Sequence, residues 1–309
     1  MLRIPIESRE QWLALRQQDV TASTCGCLLG VHPYCTPYGL YLLKAGIVGE
    51  DPEETGPMRR GRLLEPVAIE LLREQNPLWE IAPPRAYYRD PDLRLGATPD
   101  ALAVDAAGKL GVVQIKTVEP SVFRRKWMDG GEVDPPLWIV CQAIEEAHLT
   151  GAEWAAVAAL VVGFGVDLHV VPIPIHDGIV ERIKAEVVAF WSRIERREPY
   201  PPDYARDGAL IARQFEEAKV GEIIDLTNDN SLPPLAAEDE KLAAELKASK
   251  DRRAAVRSEI LAKIGNAEIA LFQGGRIFAP TTRRKSYTVK ETSFRDLRIK
   301  LAENMERTL

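Results

Sequence analysis

Between Arg94 and Thr117 the chain reads RLGATPDALAVDAAGKLGVVQIKT, and its alternation constrains the fold more than any other stretch. Two short strands joined by a tight turn are expected. Asp105-Ala106-Ala107-Gly108 has the residue types that reverse a chain. With a loop over 105–109, Val104 pairs with Leu110, Leu102 with Val112, and Asp100 with Gln114. Side chains alternate along a strand, so Gln114 and Lys116 point one way, towards Asp100, and Ile115 points the other. A slip of one residue would reverse every side chain of one strand. An acid, an amide and a lysine on one face, beside the apolar run Leu110-Gly-Val-Val113, is the feature to explain.

The 309 residues, 46% of them hydrophobic, suffice for one large domain, or for a domain with an appendage. Ser8-x-x-Gln11 has the form of a capping box for a helix to about Gln17, with Arg16 in its last turn. Thr21-Ala22-Ser23 opens a second helix that stops at Gly30, and a third runs from about Pro37 to Ala45. From Met58 to Gln75 the apolar stripe Leu64, Val67, Ala68, Leu71 and Leu72 marks a core-facing helix. Glu65 borders that stripe, and Pro66 must restart or kink the helix. Arg85–Arg89 reads as a strand and residues 121–129 as a helix closed by Gly130-Gly131. A helix to Thr150 follows, with Leu137, Val140, Cys141, Ile144 and His148 inward and Gln142 on a flank with Trp138 and Glu145. A hairpin over 154–175 and a helix over 180–197 complete an α+β domain, a mixed central sheet flanked by helices. Pro199-Tyr-Pro-Pro202 marks the boundary, giving a domain over 1–205 and an extension over 206–309. In the extension a helix over 236–264, a hairpin over 268–279 and a closing helix from Phe294 are expected.

Net charge is −6 and carries no global nucleic-acid signature, but its distribution is uneven. Residues 206–309 hold 19 Lys and Arg against 17 Asp and Glu, which leaves 21 against 29 in residues 1–205. Eight basic residues crowd 276–300, among them Arg283, Arg284 and Lys285, as would suit a polyanion or a solvated basic face. The four cysteines (Cys25, Cys27, Cys35, Cys141) are too irregular for a secreted disulfide scaffold, and they lack the paired C-x-x-C of a thiolate metal site. No apolar run spans a bilayer and no leader pattern opens the chain, so a cytoplasmic location is expected.

Phosphate-loop, H-E-x-x-H and G-x-S-x-G motifs are absent, and the four histidines are scattered. What remains is Glu65, Asp100, Gln114 and Lys116. Two carboxylates and an amide oxygen are hard ligands suited to Mg²⁺ or Mn²⁺, and the Ile115 carbonyl can join them. A neighbouring lysine can orient water or stabilise charge on a phosphoryl group. That is equipment for phosphodiester hydrolysis. A satisfied polar patch at a sheet edge is the simpler alternative on spacing alone.

Taken in order, Trp12-x-x-Leu15-Arg16 with Thr21-Ala22-Ser23, Gly61-x-x-x-Glu65-Pro66, Ala97-Thr98-Pro99-Asp100, Gln114-Ile115-Lys116 and Gln142 resemble the YqaJ-type viral recombinases. These are relatives of phage lambda exonuclease within the PD-(D/E)XK nuclease superfamily. The resemblance covers roughly residues 8–200. It implies a metal-dependent exonuclease that degrades the 5′ strand of linear duplex DNA and leaves a 3′ overhang. It also implies two metal ions on Glu65, Asp100, Gln114 and the Ile115 carbonyl. Lys116 takes the place of the catalytic lysine, and Gln142 that of a glutamine beside the attacked phosphate. Arg16 and Ser23 fall on 5′-phosphate-binding positions. Thr21, Arg60, Arg283, Arg284 and Lys285 are further candidate DNA contacts. Double-stranded DNA ends, a single-strand annealing protein and a homotrimeric ring are the implied partners. The departure is Gln114, where the motif more often has Glu. It keeps open a DNA-end-binding or annealing-partner protein with a decayed site. A restriction-type nuclease, or a CRISPR-adaptation nuclease with an iron–sulfur cluster, is the other alternative.

Overall fold

A computed structural model describes residues 1–49, 54–283 and 297–299. It divides into two units, Met1–Gln214 and Phe215–Leu309. In the first, β1 (Leu2–Pro5) precedes α1 (Arg9–Gln18), which Ser8 caps by accepting from the Gln11 N–H at 3.1 Å. The Gln11 side chain reaches one residue past a strict capping box and accepts from the Glu7 N–H at 2.8 Å. β2 (Val20–Thr21) runs straight into α2 (Ala22–Leu28), and Thr36 caps α3 (Pro37–Lys44). α4 (Gly56–Gln75) starts at the Thr55 cap and continues through Pro66 as one helix. Its inward face is turned from the expected stripe: Ala68, Ile69 and Leu72 are buried, whereas Val67 is exposed. Glu65 therefore shares a face with Ile69 and Leu72, four and seven residues on.

The strands that follow are β3 (Glu80–Ala82), β4 (Ala86–Asp90), β5 (Leu95–Ala97), β6 (Ala101–Val104) and β7 (Leu110–Val118). The 94–117 stretch is thus three strands instead of two, because Thr98-Pro99-Asp100 breaks the first run. Past α5 (Pro120–Lys126), the expected helix to residue 129 gives way to a small hairpin of β8 (Met128–Asp129) and β9 (Glu132–Val133). Gly130 and Gly131, at φ 56° and 95°, form its turn, where a side chain would be strained. α6 (Leu137–Thr150) then crosses over to β10 (Trp154–Val162), followed by β11 (Val166–Ile173), α7 (Asp177–Arg196) and α8 (Tyr204–Gln214).

Two sheets result, ordered β1-β4-β5-β2 and β11-β10-β7-β6-β3. The second is the mixed central sheet expected: β7 and β10 are parallel, and the other pairs antiparallel. β6 and β7 pair in the anticipated register, Val104 with Leu110 and Leu102 with Val112. Ile69 and Leu72 of α4 pack on Val113, Ile115 and Leu160 on one face. Ile139 and Ile144 of α6 pack on Val112, Val157 and Ala159 on the other. Each such side chain contributes about 1.5–3 kcal/mol by burial, which fixes both helices against β7.

α8 belongs to the first unit, although most of it lies beyond residue 205. Asp207, almost fully buried, accepts from the Thr36 hydroxyl at 2.5 Å, and Leu210 and Ile211 pack on the core. The second unit has α9 (Leu232–Ile264), none of whose residues is buried, and a hairpin of β12 (Ile269–Phe272) and β13 (Gly275–Phe278). Of the expected helix from Phe294 only residues 297–299 are described, and these are not helical; the rest of it, with Arg284 and Lys285, lies outside the described residues. Among the described residues no helix is long and apolar enough to cross a membrane.

Candidate active site

β6 begins at Ala101, opposite Val113, so β7 runs on past its neighbour. The Ile115 N–H, which β6 no longer meets, donates to Asp100 Oδ2 at 2.8 Å. Gln114 Nε2 makes a short hydrogen bond to the same oxygen. Asp100 thus caps the sheet where its ladder stops: it lies outside β6 and forms no ladder pair with Gln114, which it meets through its side chain instead. Burial pushes its carboxyl up, while Lys116 and the Ile115 N–H pull it down.

From Gln114 a chain of amides leads into α6. Gln114 is only 2% exposed, and its Oε1 accepts from Gln142 Nε2 at 2.9 Å. Gln142 Oε1 in turn accepts from Lys116 Nζ at 3.1 Å, and the ammonium lies 5.3 Å from the centre of the Trp138 ring. Sequence periodicity set Gln142 on a flank; in the fold it is buried, because α6 is covered on nearly every side. Glu65 is half-buried and shares a cleft with Asp100 and Lys116. Its carboxyl is raised to about 7, first by burial and then by the Asp100 charge, with Lys116 opposing.

The same cleft, about 370 Å³ in volume, also takes in Trp12, Arg16, Thr21 and Ser23. Arg16 stacks over the Trp12 ring at 4.6 Å, and its Nη2 donates to Ser23 Oγ at 3.4 Å. Ser23 and Thr21 join their hydroxyls at 3.0 Å. Trp12 Nε1 donates to Thr98 Oγ1 at 3.0 Å, which ties α1 to the break before Asp100. Arg60 stands apart from this cleft: it reaches Glu119 Oε1 at 3.5 Å and the Val162 carbonyl at 3.2 Å. Arg62 lines the cleft instead, paired with Glu54 at 2.7 Å. Arg283 belongs to the other unit.

Two acids were not among the expected site residues. Glu146 is 1% exposed and lines the cleft; its Oε1 accepts from Gln142 Nε2 at 2.9 Å, and its Oε2 has no partner. Glu145 is fully buried, neither oxygen has a partner, and burial lifts its carboxyl to about 8. The signal was present as Gln142, Glu145 and Glu146 at i, i+3 and i+4, a polar cluster on a helix otherwise apolar enough to be core.

The donor chemistry fits a divalent ion: carboxylates at Glu65 and Asp100, amide oxygen at Gln114, and the Ile115 carbonyl, all hard oxygens. As they stand, no three His, Cys, Asp or Glu side chains among the described residues converge into a cage. Cys27 and Cys35 form a disulfide with Cα atoms 5.4 Å apart, and Cys25 and Cys141 are free and buried. Four thiolates for an iron–sulfur cluster are therefore not at hand.

Residues 11–153 match the model of the YqaJ-like viral recombinase domain. No curated protein matches the chain. Among solved structures, an alkaline exonuclease from Laribacter hongkongensis aligns at 21% identity and a TM-score of 0.50, over 65% of this chain and 98% of that one. Its complex with dAMP aligns at 20% and 0.48, over 65% and 98%. A putative exonuclease from Eubacterium rectale aligns at 11% and 0.43, over 73% and 98%. The first of these shares the fold.

Proposed function

We propose that this chain is a metal-dependent exonuclease of phage-type recombination that hydrolyses the 5′ strand of linear duplex DNA and leaves a 3′ overhang. The supporting observation is one cleft that combines Glu65, Asp100, Gln114 and Lys116 with Arg16 and Ser23. Glu65, Asp100, Gln114 and the Ile115 carbonyl are the residues that would hold Mg²⁺ or Mn²⁺. Two such ions, when bound, supply an activated water and a counter-charge for the leaving oxygen. Lys116 is held by Gln142 at 3.1 Å and directed by that bond along the β7 face. From there its ammonium can orient water and stabilise a phosphoryl oxygen. Gln142 lies beside the attacked phosphate. Arg16 and Ser23 receive the terminal 5′-phosphate through a guanidinium and a hydroxyl, groups that suit its geometry and charge. Thr21 and Arg60 stand as further DNA contacts on this unit, and Arg283, Arg284 and Lys285 on the other. A 3′ overhang is a substrate for a single-strand annealing protein, and a ring of three chains around the duplex would keep the cleft at a receding end.

A second reading rests on one observation. Gln114 is an amide where a carboxylate would add charge, and it turns its NH₂ group, not its oxygen, towards Asp100, which suits a DNA-end-binding protein with a decayed centre. Incubation with 5′-phosphorylated linear duplex and Mg²⁺ separates the two. The exonuclease converts duplex into 3′-tailed product and free 5′-nucleotides, and stops when the ion is chelated. Binding to ends without loss of duplex would establish the second reading.

A further inference from the structure

We infer that Glu146 supplies the third carboxylate of the metal centre, in place of the one that Gln114 lacks. This rests on the nuclease reading and adds to it a ligand from α6. One NH₂ group, that of Gln142, donates to both Gln114 Oε1 and Glu146 Oε1, each at 2.9 Å. Two acceptors on one nitrogen lie within about 6 Å of each other, so Glu146 is adjacent to the strand position that carries the amide. Gln142 and Glu146 are one helical turn apart and face the same way. Glu146 lines the cleft with Asp100 and Gln114.

Its second oxygen points to a ligand. Glu146 is 1% exposed, Oε2 is buried without a hydrogen-bond partner, and no arginine or lysine forms an ion pair with it among the described residues. Burial holds that carboxyl well above its usual range, and charging it without a partner costs several kcal/mol. A divalent cation would take up that oxygen and remove the cost. The charge balance agrees. With Gln114 neutral, Glu65 and Asp100 bring two negative charges to two divalent ions; Glu146 brings a third without disturbing the hairpin. Gln142 then has a positioning role: its amide holds Glu146, and its carbonyl holds Lys116.

Calorimetric titration of Mn²⁺ into the full chain tests this directly, with folding checked by circular dichroism in chelator. The set is wild type, Glu146→Gln, Gln114→Glu and the double variant Gln114→Glu/Glu146→Gln. Glu146→Gln should weaken Mn²⁺ binding at least ~10-fold, and the double variant should recover most of that loss. Gln114→Glu alone should change affinity less than ~3-fold, because the third carboxylate is already in place. Unchanged affinity in Glu146→Gln, or no recovery in the double variant, overturns the assignment. So does a gain of ~30-fold or more in Gln114→Glu alone, which decides the matter even if Glu146→Gln does not fold. A wild-type chain that binds no Mn²⁺ defeats the nuclease reading itself, a result distinct from the others.

Discussion

Replacing Asp207 with alanine should loosen the first unit where α8 is fastened to α3. The Asp207 side chain is 1% exposed and ties two segments far apart in sequence. Oδ1 accepts from the Thr36 hydroxyl at 2.5 Å, and Oδ2 accepts from the Asp203 N–H at 2.8 Å. Thr36 also caps α3, accepting from the Gly39 N–H at 2.9 Å. Alanine strands the Thr36 proton in the interior, at a cost of about 1–3 kcal/mol. The Asp203 amide is near the surface and finds water, for ~1 kcal/mol or less. The sum is about 3 kcal/mol, which in a unit of this size lowers Tm by roughly 6–12 °C. Asp207→Asn keeps an acceptor for Thr36 and should lose less than half as much. The assay is thermal unfolding of the intact chain followed by near-UV circular dichroism. A chain ended at residue 205 should be weaker still than one ended at 214. It also loses the bonds from Arg206 to the His32 and Cys35 carbonyls, at 2.6 and 3.0 Å. A shift below ~2 °C for Asp207→Ala would refute the reasoning and return the boundary to residue 205.

Three further outcomes bear on the cleft. Lys116→Ala should slow single-turnover cleavage by ~10²-fold or more while leaving Mn²⁺ affinity within error; comparable rates would mean the chemistry is centred elsewhere. Arg16→Ala should cost roughly 10–100-fold on 5′-phosphorylated ends and little on 5′-hydroxyl ends. Equal losses on both substrates would remove Arg16 from the phosphate site. His32 is held down to about 4 from an ordinary 6.5, by burial first and then by the Lys116 and Arg206 charges. Its folded value lies below its unfolded one, so its contribution to stability is present above pH 6.5 and is lost as pH falls towards 4. Urea titrations at several pH values should show His32→Gln less sensitive to acid across that window, and parallel curves would count against this account.

The hairpin register was legible because two constraints agreed: turn residues at 105–109 and period-two alternation on either side. The break at Thr98-Pro99-Asp100 was not legible, since Leu95–Ala97 is as strand-like as Ala101–Val104. Its assignment to another sheet depends on β4 and β2. α4 was found but rotated, because the stripe of Leu64, Val67, Ala68, Leu71 and Leu72 is as apolar as one centred on Ala68, Ile69 and Leu72. Packing against β7 decided between them. Glu145 and Glu146 were hidden by the usual rule that glutamates face water. That rule fails on α6, which lies between β7 and the other helices and has almost no exposed side. α8 was separated from the first unit by a proline-rich segment that joins α7 to α8 without ending that unit.

The turn over 105–109 lies on the surface, yet it acts as a ruler for the cleft. Asp105 Oδ1 accepts from the N–H groups of Ala107 and Lys109, and its own N–H donates to the Lys109 carbonyl, so the loop holds its length by itself. Substitutions there that keep the length should be silent at the centre. Deleting one residue would carry the frame change down β7, swing Gln114 and Lys116 beneath α4, and present Ile115 to the cleft. The centre can therefore be lost by an edit in solvent that touches none of its residues.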